Sequence, residues 1–266
     1  MKGQAMSTEA PVLRERDARG VVTLTLNRPQ AFNALSNAML AALQAELDAL
    51  AHDEQARVVV LAAAGRAFCA GHDLKEMHAA PSLEGVRALF AACSRMMLSV
   101  QKLPVPVIAR VQGIATAAGC QLVAMCDLAV ASDEARFAVS GVNYGLFCST
   151  PSVALSRNVS RKAAFEMLLT GEFISAQQAL DKGLINRVAS AQRIDEEIES
   201  LVAGILAKPR VAIAMGKALF YRQIETGIEA AYADASETMA CNFIDAAAQE
   251  GVAAFLDKRK PRWGAS

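Results

Sequence analysis

Two stretches of small residues, each following an apolar run, have the composition of a site that binds an oxygen atom. The first follows the strand-like run at residues 107–111 and reads ATAAG from Ala115 to Gly119. Apolar residues suited to a short buried helix come next. The first N–H groups of a helix have no internal partner and carry partial positive charge. This turn could hold a phosphate, a carboxylate or a developing oxyanion, but tight helix–sheet packing selects the same small residues.

The second stretch follows an all-apolar run at residues 58–61 and extends from Ala64 to Leu74. Its Gly71 can adopt a backbone conformation that other residues avoid. Two such turns after two buried strands could direct two N–H groups at one oxygen atom. The sequence alone does not show whether the turns meet in space, so both interpretations remain open.

The surrounding pattern predicts α/β organisation. A strand is predicted at residues 21–26, and a helix capped by Ser36 follows, with Met39, Leu43, Leu47 and Leu50 at helical spacing. Strand, helix and strand in this order are typical of α/β proteins. A long helix is predicted from His78 to about Leu103, with Pro81 and Gly85 weakening its beginning. Ser160 and Ser175 are expected to cap two later helices.

Several motifs together resemble the enoyl-CoA hydratase/isomerase superfamily, also called the crotonase superfamily. In order, they are LNRP at 26–29, NAL at 33–35, GRAFCAGHDL at 65–74, QG at 112–113, AGCQL at 118–122, LTGE at 169–172, GL at 183–184 and FLDKRKP at 255–261. The resemblance extends from about Val12 to Trp263. Several motifs in the same order and spacing are hard to obtain by chance.

The resemblance implies an α/β fold, a crotonase-like spiral of strand–strand–helix turns followed by a helical C-terminal part. Residues 12–194 would form the spiral core and residues 195–266 the helical part. The sequence after Asp195 agrees with this division, because it contains three or four helical segments and little strand signal. In this family the helical part builds a trimer, often doubled to a hexamer, so a homotrimer or hexamer is expected.

The resemblance also implies an acyl-CoA ligand whose thioester oxygen lies between two backbone N–H groups. The matching donors are those of His72 and Ala118. Coenzyme A would belong to the substrate, and neither a permanently bound cofactor nor a metal is expected. The positions that match CoA contacts are Ala70, Leu74 and Lys75 near the donor turn, and Phe255 and Lys258, which in this family reach the adenine part from a neighbouring subunit.

The two catalytic positions of the family are where this sequence departs from the pattern. Typical hydratases use two glutamates, one to activate water and one to handle the proton delivered to the α-carbon. These positions match Gln121 and Gly141, neither of which can titrate. Gln121 could hold a water by hydrogen bonds but cannot accept its proton. Each acid–base group is worth about 10²–10⁴-fold, so ordinary hydratase turnover should be nearly abolished.

Replacement groups are sought next to the donors and in the loop after Gly141. The His72 side chain could titrate near neutral pH, although a role in shaping the ligand site is favoured. Asp73 could serve, or it could simply cap the next helix. The candidates in the loop are Asn143, Tyr144, Cys148 and Ser149. Cys148 is the most reactive type among them, but a buried structural thiol is the plainer interpretation.

Two classes of function follow. The first is an enzyme of acyl-CoA and fatty acid metabolism, a lyase whose default reaction adds water to a 2-enoyl-CoA. Its actual reaction could be another enolate-type one, such as isomerisation, decarboxylation or thioester hydrolysis. The second is a catalytically weak acyl-CoA-binding or regulatory oligomer. The donor turns fit both classes, whereas Gln121 and Gly141 favour the second. A dehydrogenase is excluded because no Gly-x-Gly-x-x-Gly fingerprint follows a strand.

Composition limits the partners and the location. The 266 residues are 53% hydrophobic and 20% charged with a net charge of +0, which argues against nucleic acid or a membrane surface as a partner. Six cysteines lack metal or disulfide-framework spacing and are expected to be free thiols. The stretch from Met1 to Pro11 is polar and has no apolar core for a signal peptide, and no apolar run could span a membrane. A cytoplasmic protein is expected.

Overall fold

The computed structural model of the protein describes residues 10–79 and 81–263. The polar start at residues 1–9 and the last three residues of the expected C-terminal part lie outside the described residues. Within the described ranges the chain forms ten strands and eleven α-helices. No helix in these ranges has the length and apolar character needed to cross a membrane.

The strands are β1 (Val12–Arg16), β2 (Val21–Leu26), β3 (Val58–Ala63), β4 (Ala67–Cys69), β5 (Val107–Val111), β6 (Ile114–Thr116), β7 (Leu128–Ser132), β8 (Arg136–Ala138), β9 (Ile174–Ser175) and β10 (Arg187–Ala189). The helices are α1 (Asn37–Ala51), α2 (Leu74–Ala79), α3 (Leu83–Lys102), α4 (Ala118–Met125), α5 (Ser149–Asn158), α6 (Arg161–Thr170), α7 (Ala176–Asp181), α8 (Ile194–Leu206), α9 (Arg210–Gln223), α10 (Ile228–Ile244) and α11 (Ala246–Leu256).

Two sheets organise the core. The first has six strands in the order β1-β2-β3-β5-β7-β10, and the second has four in the order β4-β6-β8-β9. The pairs β1/β2 and β8/β9 are antiparallel, and the other pairs are parallel. Successive turns of the chain add β3 and β4, then β5 and β6, then β7 and β8, one strand to each sheet. The expected spiral of strand–strand–helix turns is confirmed.

Strand β3 shows why the larger sheet is apolar on both faces. All six of its residues are buried. Val59 and Leu61 join the main core with helices α1 and α3, whereas Val58 and Val60 face a second core. Successive side chains of a strand point to opposite faces, so each face needs its own cover. Helix α8 supplies the second cover with its three buried residues, which are Ile194, Ile198 and Val202.

The division of the chain at residue 194 stays a prediction. Helix α8 begins at Ile194 and packs on the larger sheet, so it lies in the same layer as the spiral. The helices after it, α9 and α10, have no fully buried residue and pack mainly on each other. The change from sheet-bound to loosely packed helices therefore falls between α8 and α9.

Helix starts follow their expected caps, with one difference. The hydroxyls of Ser36 and Ser160 accept hydrogen bonds from the first turns of α1 and α6, and Ser175 forms a reciprocal capping box with Gln178. The long helix expected from His78 is instead two helices, because α2 ends at Ala79 and α3 begins at Leu83 with Ser82 as its cap. Proline disfavours helical geometry in the residue before it, which fits a break near residue 81.

A buried ion pair fastens helix α9 to the central sheet. The Lys217 ammonium donates to Asp127 Oδ2 at 2.7 Å and to the carbonyl oxygen of Val105 at 3.0 Å. Asp127 also accepts from the Val107 amide at 2.6 Å and from the Tyr221 hydroxyl at 2.8 Å. The Lys217 side chain is only 7% exposed. Because burial disfavours the charged form, the pKa of Lys217 lies below its usual value, although Asp127 opposes that shift.

Replacing Lys217 by Met should destabilise the fold by about 3–5 kcal/mol, because the buried Asp127 carboxylate would lose its counter-charge. Urea unfolding of wild type, Lys217→Met and Lys162→Met measures the effect. Lys162 is exposed on α6 and should change the free energy of unfolding by less than about 0.5 kcal/mol. Equal stabilities of the two variants would contradict the anchoring role of this ion pair.

Candidate active site

The two small-residue turns are in contact, which settles the point that the sequence left open. They follow β4 and β6, which are neighbouring parallel strands of the smaller sheet. A Cβ atom built on Gly71 would lie 2.9 Å from the Cβ of Ala117 and 3.3 Å from the amide nitrogen of Ala118. Gly71 has a φ of +90°, which side-chain-bearing residues rarely adopt. A glycine is therefore needed here both for conformation and for space.

The backbone N–H of His72 points away from Leu35, the residue with which His72 forms a β-bridge. The Leu35 amide donates to the Gly71 carbonyl at 2.8 Å, and the Asp73 amide donates to the Leu35 carbonyl at 3.3 Å. Successive residues of an extended segment direct their N–H groups to opposite sides, so the N–H of His72 points to the other side, where β6 lies. Among the described residues this amide has no hydrogen-bond acceptor.

The amide of Ala118 is presented by a strained turn. Ala118 is the first residue of α4, and Ala117 before it has φ 50° and ψ −120°. A positive φ is uncommon for a residue with a side chain and costs about 1–3 kcal/mol. The Ala117 amide donates to the carbonyl of Ala138, and its carbonyl accepts from Gln121, so both are paired. Within the part of the chain that the structure describes, the N–H of Ala118 has no acceptor and lies at the positive end of the helix.

Gly119 explains why the packing interpretation of these small residues is also right. A Cβ at Gly119 would overlap the carbonyl oxygen of Cys69 and lie 2.9 Å from its Cβ. The first turn of α4 therefore packs directly on the end of β4. This turn serves both interpretations. Gly119 allows it to pack closely on β4, and the N–H of Ala118 has no partner among the described residues.

Gln121 lies one turn into α4 and is 6% exposed. A helical side chain covers the turn that precedes it, which here is the turn of Ala117 and Ala118. The Oε1 atom of Gln121 is buried and has no hydrogen-bond partner among the described residues. An unpaired buried acceptor costs about 1–3 kcal/mol, so this atom is prepared for a partner that the chain itself does not supply.

Gly141 lies in a short 3₁₀ turn, Ser140–Tyr144, that is closed against the following loop. A Cβ there would overlap the carbonyl oxygen of Leu146 and lie 2.8 Å from the sulfur of Cys148. The Gly141 amide also donates to that sulfur at 3.3 Å. A side chain at this position would therefore require the loop to move.

Asp73 and Cys148 are both engaged in structure. Asp73 pairs with Arg28 at 3.2 Å and caps α2 by accepting from the Lys75 amide at 3.2 Å. Burial raises the pKa of the Cys148 thiol, so it remains protonated at neutral pH despite the hydrogen bond from the Gly141 amide. Both groups make structural contacts, and their roles in proton transfer stay predictions.

The remaining loop candidates make local hydrogen bonds or face solvent. The Asn143 side chain donates to the carbonyl of Gly171 at 3.3 Å, and the Ser149 hydroxyl donates to that of Phe147 at 3.3 Å. Tyr144 is 70% exposed. The roles of these residues in catalysis stay predictions, and their contacts favour a structural role for Asn143 and Ser149.

The side chain of His72 differs from all of these. Its ring contacts Phe90 edge-on, with the centroids 5.3 Å apart and an angle of 82° between the planes. Both ring nitrogens are buried without a partner among the described residues. Burial lowers the pKa of His72, because the charged form loses its hydration, and this outweighs the opposing interaction with the backbone of Leu35. The imidazole is therefore neutral at pH 7.

The sequence analysis missed a hydroxyl pair that links the donor turn to the loop of Gly141. Thr116 Oγ1 and Ser140 Oγ lie 2.9 Å apart. Thr116 ends β6, and Ser140 follows β8, the parallel neighbour of β6. The sequence shows a hydroxyl residue at the end of each strand, but only the strand order shows that β6 and β8 are neighbours and that the two hydroxyls can pair.

The residues expected to bind CoA fall into two groups. Ala70, Leu74 and Lys75 lie immediately on either side of the His72 turn, and Leu74 and Lys75 are exposed. Phe255, which is 81% exposed, and Lys258 lie at the end of α11, a helix that packs on α9 and α10. The first group is assembled by one chain around the donor turn, and the second forms a separate exposed surface.

A spiral of strand–strand–helix turns, with two small-residue turns in contact beside the smaller sheet, is the α/β fold of the crotonase class. The family model for enoyl-CoA hydratase/isomerase matches residues 16–266, and the chain belongs to this family. Among the described residues, no group of three or more side chains suited to hold a metal ion comes together.

Relatives agree over nearly the whole chain. A crystal structure of enoyl-CoA hydratase from Mycobacterium smegmatis is 70% identical, has a TM-score of 0.95, and covers 96% of this chain and 99% of that one. The mitochondrial enoyl-CoA hydratase domain-containing protein 3 of Rattus norvegicus is 45% identical over 96% of this chain and 85% of its own. The 2,3-dehydroadipyl-CoA hydratase of Escherichia coli K12 is 34% identical over 91% and 94%.

The expectation of a cytoplasmic protein is corrected by these relatives. The rat protein and its mouse and human counterparts, which are 45–46% identical to this chain, are all named as mitochondrial proteins. A cytoplasmic location is therefore not supported. The expectation rested on the lack of an apolar core near the N-terminus, which excludes only a secretory signal, because organelle-targeting segments are amphipathic.

Replacing Gly119 by Ala should destabilise the fold by at least about 1–3 kcal/mol, because the added methyl group meets the backbone of Cys69. The matched control is Gly204→Ala in α8, where a Cβ has open space and should stabilise the helix by about 0.5–1 kcal/mol. Urea unfolding measures both variants. A Gly119→Ala protein as stable as wild type would show that the two turns are not in contact.

Proposed function

We propose that the protein is an enzyme that acts on acyl-CoA thioesters by holding the thioester oxygen between the amides of His72 and Ala118. The observation that carries this proposal is the contact between the two turns, beside which the amides of His72 and Ala118 have no acceptor among the described residues. Family membership supports a CoA thioester as the ligand. Coenzyme A is part of the substrate in this proposal.

Such a site stabilises the negative charge that develops on the thioester oxygen when the α-carbon loses a proton or the β-carbon is attacked. Donors that are already in place cost no reorganisation, and one such donor is worth about 2.7–4 kcal/mol in other enzymes. Because both donors belong to the backbone, the polarising function does not depend on the side chains at positions 72 and 118.

The default reaction of the family, addition of water to a 2-enoyl-CoA, should be slow here. Gln121 cannot accept a proton, and Gly141 has neither a side chain nor room for one. Another enolate-type reaction, such as isomerisation, decarboxylation or thioester hydrolysis, makes fewer demands on a pair of carboxylates. The absence of that pair also favours the second candidate, a catalytically weak acyl-CoA-binding oligomer.

The C-terminal helices support assembly into a trimer or hexamer. A groove of about 810 Å³ runs between α9 and α10 and is lined mainly by apolar residues, including Met215, Leu219 and Met239. Met239 and Ile228 are 68% and 78% exposed in the single chain. Exposed apolar patches of this kind mark interaction surfaces. Neighbouring subunits would then bring Phe255 and Lys258 to the CoA that is bound beside Lys75.

Binding is the first test. Isothermal titration calorimetry should show that butyryl-CoA and crotonyl-CoA bind more tightly than butyrate and crotonate, because the free acids lack the CoA contacts. Lys75→Ala should weaken binding of the thioesters, whereas Lys162→Ala, at an exposed position of α6 that matches no CoA contact, should not. Equal affinities for thioesters and free acids would exclude the proposal.

Hydration is the second test, followed by the loss of crotonyl-CoA absorbance. One acid–base group supplies about 10²–10⁴-fold in rate. The wild type should be slower than an ordinary hydratase by at least this factor. Gln121→Glu should raise the rate, because a carboxylate then lies beside the donors. Gln192→Glu, at an exposed position, should not raise it.

A wild type as fast as an ordinary hydratase would contradict this account of Gln121 and Gly141. Introducing a glutamate at residue 141 is not an equivalent experiment. Its Cβ would overlap the backbone of Leu146, so a lost fold could not be distinguished from a lost reaction.

Assembly is the third test. Light scattering at micromolar concentration should give three or six times the chain mass of 28.1 kDa. Met239→Glu should lower the measured mass, because a charge would be buried in the apolar groove. A wild type with the mass of one chain would contradict the proposed assembly.

A further inference from the structure

The imidazole of His72 lies beside the donor turns, with the backbone of Leu35 near the ring but no partner within hydrogen-bond distance among the described residues. Its two ring nitrogens are shielded from solvent and unpaired among the described residues, and Phe90 is its aromatic contact. Buried polar atoms without a partner cost about 1–3 kcal/mol each and are rare. A packing role alone would be filled better by an apolar side chain, so the imidazole needs another explanation.

The other candidates for proton transfer next to the donors are occupied or cannot titrate. Asp73 is committed to Arg28 and to the start of α2, and Cys148 accepts a hydrogen bond from the Gly141 amide. Gln121 is an amide. Among the titratable candidates considered, the His72 ring alone combines closeness to the donors with unpaired atoms.

We propose that the imidazole of His72 is a catalytic base that removes a proton from the α-carbon of a bound acyl thioester. The proposal rests on the proposed function, which places the thioester oxygen at the amides of His72 and Ala118. The α-carbon is bonded to the carbonyl carbon and lies two bonds from that oxygen. The ring and one donor amide belong to the same residue, and the proposal requires the ring to turn away from Phe90 towards that carbon.

The step balances without a co-reactant. The C–H bond at the α-carbon breaks, and its electron pair forms the enolate, whose charge rests on the oxygen held by the two amides. The proton forms a bond with a ring nitrogen of His72. The reverse step returns a proton to the same carbon after exchange with solvent. Burial keeps the ring neutral at pH 7, so a nitrogen lone pair is available.

The predicted activity is therefore exchange of α-hydrogens with solvent. Butyryl-CoA is incubated with the full-length protein in D₂O, and mass spectrometry follows deuterium at the α-carbon. The wild type should incorporate deuterium. His72→Gln and His72→Ala keep the donor amide but lose the base, so exchange should fall by about 10²–10⁴-fold. The matched control is His52→Ala, an exposed histidine at the end of α1, which should exchange as wild type does.

A second readout separates the base from the donors. Absorbance of a bound conjugated dienoyl-CoA shifts when its carbonyl oxygen is polarised, and this shift should persist in His72→Gln because the amide remains. Loss of exchange with the shift retained supports the assignment. Loss of both would give the ring only a supporting role and overturn it, as would exchange in the variants at the wild-type rate.

Calorimetry with butyryl-CoA distinguishes failure of this inference from failure of the proposed function. If butyryl-CoA binds to the wild type but its α-hydrogens do not exchange, His72 is not the base, although the thioester site stands. If butyryl-CoA does not bind at all, the proposed function fails, and the inference fails with it.

Discussion

The candidate site depends on a backbone-to-backbone contact between the turns that follow β4 and β6. Parallel strands that end at the same edge bring their following residues together, but only glycine permits the observed approach. Gly119 lies on the carbonyl of Cys69, and Gly71 lies on Ala117 and Ala118. Ala117, the residue with the unusual conformation, lies in this contact, and the first amide of α4 follows it directly.

Building the oxygen-binding site from amides separates two functions that side chains often combine. Polarisation of a carbonyl group belongs to the backbone and tolerates many side chains, whereas proton transfer needs particular ones. In the proposed site this chain would keep the first property, whereas Gln121 and Gly141 have no titratable group for the second. Gln121 offers an unpaired oxygen, Gly141 is closed by its own loop, and His72 adds a neutral imidazole. The site is polar, yet it lacks the two carboxylates of typical hydratases.

The C-terminal helices are joined to this core by a few strong contacts. Asp127, at the start of β7, receives hydrogen bonds from Lys217 and Tyr221 of α9 and from the first amide of β5. A charge pair of this kind is favourable only when both partners form good hydrogen bonds. Here each oxygen of the Asp127 carboxylate accepts at least one. Beyond this anchor, α9 and α10 keep apolar residues exposed, which suits helices that meet another subunit.

By itself, the sequence determined the α/β class, the serine caps and the two small-residue turns, because these follow from local periodicity and small-residue spacing. The strand–strand–helix spiral followed from the resemblance to the family. The match of Gln121 and Gly141 to the two glutamate positions also rests on that resemblance and stays a prediction. The sequence could not show that Gly71 contacts Ala118 or that the hydroxyls of Thr116 and Ser140 are neighbours. Nor could it show that Asp73 forms an ion pair with Arg28. Each of these pairs joins segments that only the tertiary structure brings together. The neutrality of His72 and the closure of Gly141 were decided by tertiary structure alone, because burial and free space are properties of the packed chain.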